Sequence, residues 1–364
     1  MNTQTLIIPA TIIRGPGALD SLGKVCSTLG RRALVIGGHR ARAAVREQLE
    51  AQLAEHGITV VGDEWFGGDT TRTQIDRLKA LASTQDADVL IGVGGGKALD
   101  TVKATAAEAG LPLITIPTIA ATCAAITPLT VTYTEEGLFL DLYNLPKAPD
   151  AVIIDSQLLA TAPLRWLAAG LGDTLAKWYE FRALGKSEEA TAIAASSVAS
   201  SRICYDMIRL YGGEACAGVR EQRDTPALEQ VLDAIFTFAG LTSIMASGAH
   251  ACAAHGIYAG FTACDKTRHY GHGLLVGFGN LCLLALEGRS DDEIIEAIQI
   301  ARDCSVPLTL NEIEPTLTAE ELDTIIAAAL TSHDMGHMPF EVTAADLKSA
   351  FKHVDALVAT QYCD

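Results

Sequence analysis

The 364-residue chain has no run of Lys or Arg, no CxxC spacing among its nine cysteines, and only 27 basic residues against 44 acidic ones. The resulting net charge of −17 repels a phosphodiester backbone, so nucleic acid is not expected as a partner. Scattered cysteines of odd number do not make a disulfide framework or a zinc ribbon, and they fit reduced thiols in the cytoplasm. Residues 1–9 lack the basic-then-apolar pattern of a secretory signal. No apolar run is both long enough to span a bilayer and free of charge, Gly and Pro, so a membrane is not expected as a partner either. Fixed-period repeats and low-complexity tracts are missing too, which removes solenoid and linker-rich architectures.

What remains is ordinary globular material, 49% hydrophobic and 20% charged, in a chain longer than one core usually serves. Through the first half, short apolar strand signals (6–13, 32–38, 58–61, 88–94, 113–118 and 152–155) alternate with helical segments (19–29, 41–56, 73–83 and 98–105). Such alternation predicts an α/β domain, Rossmann-like, with a parallel sheet covered by helices on both faces. From residue 158 onward, Ala-rich helical stretches dominate, among them 190–210, 226–246, 293–302 and 319–330. The expected organisation is therefore a dinucleotide-binding domain over 1–158 and an all-helical domain over 159–364.

The first half is organised around one stretch, Val89-Leu90-Ile91-Gly92-Val93-Gly94-Gly95-Gly96-Lys97-Ala98-Leu99-Asp100. A strand, a run of three glycines and a helix start make an anion cradle, because bare backbone can approach a phosphate and the helix N-terminus supplies unpaired N–H groups. In the helical half, Asp173, His255 and His272 lie in small-residue, apolar surroundings where a charge is costly without a partner. One carboxylate and two imidazoles suit an open divalent-metal site, since three protein ligands leave a position for substrate. Taken singly, Asp173 also reads as a helix cap and each His as a hydrogen-bonded core residue.

In order, Gly92-Val93-Gly94-Gly95-Gly96-Lys97, Ile116-Pro117-Thr118-Ile119-Ala120-Ala121-Thr122, Gly170-Leu171-Gly172-Asp173, the His255/His272 pair and His337-Met338-Pro339 span essentially the whole chain. This series resembles the metal-dependent (iron-containing, group III) alcohol dehydrogenase family, glycerol dehydrogenase branch, with the two-domain architecture shared by dehydroquinate synthase. The resemblance implies one divalent metal (zinc or iron, with manganese or nickel also compatible) on Asp173, His255 and His272. It implies a nicotinamide cofactor with its pyrophosphate on Gly94, Gly95 and Gly96, and further contacts at Gly38, Asp100, Thr115, Thr118, Thr122, Leu129 and Tyr133. A homo-oligomer is likewise implied.

Departures from the family pattern carry the substrate reading. Where glycerol dehydrogenases place a polyol-binding Asp, this chain has Cys123, and four residues after Asp173, on the same helical face, stands Lys177. Losing an anion and gaining a cation favours an anionic substrate, and the combination is similar to the hydroxycarboxylate dehydrogenase subgroup, which reduces 2-oxo acids. Cys123 and Lys177 are thus the candidate substrate contacts. The proton donor is left among Tyr258, His269 and metal-bound water, because the place of a frequent family His is taken by Ile257-Tyr258-Ala259. After the first glycine turn, Gly37-Gly38-His39-Arg40-Ala41-Arg42 offers no acid to bind a ribose and two arginines, with Arg40 nearest, to accept a 2′-phosphate, so NADP(H) is expected ahead of NAD(H). The alternatives are a glycerol, polyol or short-chain alcohol dehydrogenase on the same site, a dehydroquinate synthase-like lyase, and a non-catalytic nucleotide-binding or redox-sensing protein.

Overall fold

A computed structural model describes residues 5–185, 191–246 and 249–362, which form two compact units. In the first unit the elements run β1 (Thr11–Gly15), α1 (Leu22–Leu29), β2 (Arg32–Gly37), α2 (His39–Glu55), β3 (Thr59–Trp65), α3 (Arg72–Thr84), β4 (Val89–Gly94), α4 (Gly96–Ala109) and β5 (Leu113–Pro117). A hairpin follows, β6 (Leu129–Tyr133) and β7 (Phe139–Asn144), and then β8 (Ala151–Asp155) and α5 (Ser156–Ala160). Six strands make a parallel sheet in the order β1-β8-β5-β4-β2-β3, as the alternating pattern predicts.

Strands β4, β5 and β8 are buried at every position, which is why they read as continuous apolar runs rather than alternating ones. Their side chains still obey the two-residue period of a strand. Ala33, Val35, Val89, Ile91 and Val93 enter one core layer, while Leu34, Ile36 and Leu90 enter the opposite one. The chain steps from β2 outward to β3 and then back past β2 to β4, so the topological switch point lies between β2 and β4. Both glycine turns leave from the carboxyl ends of these two strands, the place where doubly wound sheets bind ligands.

The β6–β7 hairpin was not apparent from the sequence pattern. It is tied to α4 by a buried ionic strut in which the Lys103 ammonium pairs with Asp100 Oδ1 (2.8 Å) and donates to the carbonyl oxygens of Thr127 (3.0 Å) and Leu129. Asp100 Oδ2 accepts from the Val131 N–H at 3.0 Å.

The second unit is helical, as expected: α6 (Leu164–Ala183), α7 (Ala192–Arg220), α8 (Pro226–Leu232), a π-helical turn (Asp233–Phe238), α9 (Ala239–Met245), α10 (Ala253–Thr262), α11 (His272–Leu286), α12 (Asp291–Asp303), α13 (Leu310–Ile313), α14 (Ala319–Thr331) and α15 (Ala344–Tyr362). The expected helix start at residue 190 lies outside the described residues. One run, Pro226–Met245, is long and apolar enough to cross a membrane by length and composition alone; the π turn interrupts it and half of it is buried inside the unit. None of the eight described cysteines is in a disulfide, and all but Cys123 are buried. Burial pushes the thiols of Cys26 and Cys216 up to about 12.

The expected single break at 158/159 needs correction. The units divide between Ala162 and Pro163, and Glu221–Thr225 returns to the first. Helix α5 packs on β1 and β8, and the Ser156 hydroxyl donates to Asp224 Oδ2 at 2.8 Å, which ties that short return segment to the end of β8. Asp155 anchors the same corner. Its buried carboxylate accepts from the N–H groups of Gln157 (3.0 Å) and Leu158 (3.2 Å), capping α5, and from Leu19 (2.9 Å) and Gly17 (3.3 Å) after β1. Asp155→Ala removes a cap and leaves buried donors unmet, so denaturant unfolding should show a loss of about 2–3 kcal/mol.

Candidate active site

At the end of β4 the backbone of Gly94 takes φ = 153°, and Gly95 caps α4 without any side-chain hydrogen bond to the helix N-terminus. The first-turn N–H groups of α4 are therefore not satisfied by a capping side chain. A Cβ on Gly95 would lie 2.5 Å from Ile119 Cδ1, and one on Gly94 would lie 2.8 Å from Ala98 Cβ. A side chain is thus excluded at Gly94, and one at Gly95 would require Ile119 to move. The Gly94 Cβ position also stands 3.9 Å from the Gly38 nitrogen, so the two glycine turns are neighbours at the switch point. Bare backbone with helix-end donors fits a pyrophosphate.

The other cofactor candidates divide. Thr118 is buried and donates its N–H to Gly94 O at 3.1 Å, and Thr122 Oγ1 accepts from Ala124 N at 3.2 Å, which shapes the turn holding half-buried Cys123. Leu129 and Tyr133 sit on β6, with the Lys97 ammonium 4.8 Å from the centre of the Tyr133 ring and paired with Asp69. Thr115 and Asp100 have partners within the fold. The Thr115 hydroxyl is fully buried and donates to Ala125 O at 2.8 Å, pinning the turn from below. Asp100 meets Lys103 through one carboxylate oxygen and Val131 N–H through the other, and so supports the hairpin.

The two arginines after the first glycine turn differ in their surroundings. Arg40 is exposed at the start of α2, but Arg42 is only 8% exposed and pairs with Asp63, which also receives Arg46 at 3.0 Å. Although no acid follows the glycine turn in sequence, β3 delivers one in space, since Asp63 is paired with Val35 in the register of β2.

In the second unit, Asp173, His255 and His272 converge, with their ligand atoms all within 4.8 Å of one another. Asp173 lies in the middle of α6 and is not a cap; its Oδ1 is 3.5 Å from His255 Nε2 and 3.3 Å from His272 Nε2. Burial would raise the Asp173 carboxyl, but hydrogen bonds from His255 and His272, and the nearby Lys177 charge, hold it well below the usual range. A carboxylate and two imidazoles on three helices, with no fourth side chain among the converging donors of the described residues, fit a divalent cation that keeps open positions.

Lys177, one turn after Asp173 on α6, is 8% exposed and so is not a surface lysine. Tyr258 on α10 packs edge-on against His272 with ring centres 4.3 Å apart. Its hydroxyl is pushed up by burial and by Asp173. His269 stands apart: it is exposed in the turn before α11 and is not among the converging donors. Gly271, at φ = 128°, ends that turn, so His272 opens α11 while His269 shares no helical face with it.

Glycines set the spacing of these helices, a feature the sequence reading missed. A Cβ on Gly172 would lie 2.3 Å from Gly273 O, one on Gly273 2.0 Å from Ala169 O, and one on Gly279 2.6 Å from Ala254 O. Asn280 locks the first contact by donating to Gly172 O at 2.9 Å. The i, i+4 pair Gly273/Gly277 was the available signal. Glu180 was also missed, although it lies seven residues after Asp173 and so on the same face of α6. It is 1% exposed, with Oε2 2.7 Å from His255 Nδ1 and Oε1 accepting from the N–H groups of Cys252 (2.8 Å) and His255 (3.2 Å). Burial pulls the His255 imidazole down, but Glu180 and Asp173 outweigh it and hold the group at about 10. Gly172→Ala should push α6 and α11 apart, costing about 1–3 kcal/mol in denaturant unfolding and weakening zinc binding in the same preparation.

Residues 9–156 match the iron-containing alcohol dehydrogenase family. Over 360 residues the chain is 34% identical to a glycerol dehydrogenase of Escherichia coli O6:H1, covering 97% of this chain and 96% of that one. Over 361 residues it is 32% identical to hydroxycarboxylate dehydrogenase A of Escherichia coli K12, covering 98% of each. Among solved structures, a probable glycerol dehydrogenase from Sinorhizobium meliloti superposes with a TM-score of 0.85 at 31% identity, covering 98% of this chain and 100% of that one. With its parallel sheet, its glycine turns and its helical second unit, the chain belongs to the iron-containing alcohol dehydrogenase family and is an oxidoreductase of that family.

Proposed function

We propose that the protein interconverts a small 2-oxo acid and the corresponding 2-hydroxy acid, using a divalent metal on Asp173, His255 and His272 and a nicotinamide cofactor on the glycine turn. The observation that carries the acid preference is Lys177, a buried ammonium on the same face of α6 as Asp173. When bound, the metal would supply Lewis acidity at the substrate carbonyl oxygen and the reduced nicotinamide the hydride for its carbon. The residues themselves bind and orient. Backbone N–H groups at Gly95 and Gly96 receive the pyrophosphate, Lys177 holds the substrate carboxylate, and Cys123 takes the place of a polyol-binding acid. Tyr258, whose ring packs edge-on against His272, is the proposed proton donor to the developing alkoxide. Zinc and iron lead as the metal, and a homo-oligomer in the cytoplasm is the proposed setting.

NADPH remains the proposed preference, now resting on Arg40 alone, because Asp63 neutralises Arg42 and Arg46. A second reading, a polyol or short-chain alcohol dehydrogenase on the same residues, is supported by the names of the glycerol dehydrogenase relatives.

The deciding experiment screens 2-oxo acids, aldehydes and glycerol with both cofactors on metal-stripped and metal-reloaded protein. Turnover should vanish on chelation, return with metal, and be fastest with a 2-oxo acid; faster glycerol oxidation selects the second reading. Lys177→Ala should lower kcat/KM for the 2-oxo acid about 10- to 150-fold, the worth of a charge-assisted contact, and leave a neutral aldehyde much less affected. Equal losses for both substrates discard the carboxylate role. Arg40→Ala should reduce kcat/KM with NADPH and spare NADH; an unchanged ratio removes the cofactor preference.

A further inference from the structure

We infer that Glu180 is the positioning residue of the metal centre, fixing His255 with its proton on Nδ1 so that Nε2 is the nitrogen left for a cation. The inference rests on the proposed metal role of Asp173, His255 and His272. Its basis is a set of contacts that leave the imidazole one productive arrangement.

Glu180 reaches α10 from α6 and places its two carboxylate oxygens differently. Oε1 accepts from the N–H groups of Cys252 and His255, at 2.8 and 3.2 Å, in the first turn of α10, where Cys252 provides no side-chain cap. An acidic group belonging to another helix thus caps this N-terminus. Oε2 faces His255 Nδ1 at 2.7 Å. An ionised carboxylate only accepts hydrogen bonds, so Nδ1 must carry a proton. The ring's other nitrogen, Nε2, points to Asp173 Oδ1 at 3.5 Å, toward the converging donors. Cap and ring orientation therefore come from one side chain that is 1% exposed.

Glutamine separates the two roles. In Glu180→Gln the two backbone donors hold the amide oxygen where Oε1 stood, because turning the NH2 group toward them would oppose donor to donor. The NH2 group then faces Nδ1, which must accept, and the neutral ring carries its proton on Nε2. The cap survives while the metal-facing lone pair is lost.

The test strips wild type and E180Q of metal with a chelator and titrates zinc back against a chromophoric competitor. The expected result is zinc binding about 10- to 100-fold weaker in E180Q, the usual cost of losing a partner behind a ligating His. Thermal midpoints of the metal-free forms should agree to within about 2 °C, since the cap is retained. Equal zinc affinities overturn the inference and leave the metal reading intact, whereas a wild type that binds no zinc overturns both. A second measurement needs no variant. In wild type loaded with cadmium-113 and labelled with nitrogen-15 at histidine, coupling should run from the metal to His255 Nε2, with a proton on Nδ1. Coupling to Nδ1 overturns the inference even where E180Q does not fold.

Discussion

The candidate metal centre depends on the close approach of α6 and α11. Asp173 and His272 lie on different helices, and their side chains meet only because the backbones nearly touch. At Gly172 and Gly273 any Cβ would fall within 2.3 Å of the opposing helix's carbonyl oxygen, so only hydrogen fits. Gly279 does the same for α11 against Ala254 of α10, which brings His255 to the group. Ala176, Ala254 and Val276 fill the remaining space as a small apolar cluster with Tyr258 against it. The Ala and Gly content of the helical half follows from this packing: small residues where helices converge, polar donors one position away. Asn280 adds specificity, since its side-chain N–H donates to Gly172 O in the interior, where an unmet carbonyl is costly.

The two halves differed in how much could be read from sequence. Strand periodicity, the three glycines and the strand-to-helix alternation are local patterns, and the first unit follows them, although the strand expected over 6–13 forms at Thr11–Gly15. Asp173, His255 and His272 were legible because a charge in apolar surroundings stands out along the chain. Residues that act across elements were not. Asp63 neutralises Arg42 only because β3 lies beside β2, and no spacing between positions 42 and 63 announces that. Thr115 and Asp100 occupy positions implied by family likeness, yet their polar atoms point into the fold. Glu180 shared a helical face with Asp173, but its partner segment, Cys252 to His255, is brought there by tertiary packing alone.

In the first unit the same economy of local and distant contacts shapes the cofactor turn. The switch point between β2 and β4 places two glycine turns side by side, and the helix that follows the second is held from behind by the Asp100–Lys103 pair. A buried ion pair is a poor source of stability, because desolvation offsets most of the attraction. Its value here is directional. The Lys103 ammonium is shared among Asp100, Thr127 and Leu129, and this sharing fixes where the hairpin leaves α4. The hairpin in turn carries Tyr133 to the Lys97 ammonium at the start of the helix. The turn's shape is therefore set by partners spread from Lys97 to Tyr133 as well as by the glycines themselves.

Charge placement around Lys177 bears most directly on the substrate. A buried ammonium is tolerated where carboxylates are close, and α6 supplies two on the same face, Asp173 and Glu180. Asp173 also meets the imidazoles of His255 and His272, and Glu180 meets His255 and two backbone donors. Under the proposed reading a divalent cation joins Lys177 on that face, and two like charges in a shielded space favour any ligand that can neutralise both. A 2-oxo acid has this form, with a carbonyl oxygen for one charge and an adjacent carboxylate for the other. A polyol offers hydroxyl groups alone, with no anion for Lys177. The proposed oxo-acid preference therefore rests on Lys177, four residues after Asp173, because the relatives at 32–34% identity include both a glycerol dehydrogenase and a hydroxycarboxylate dehydrogenase.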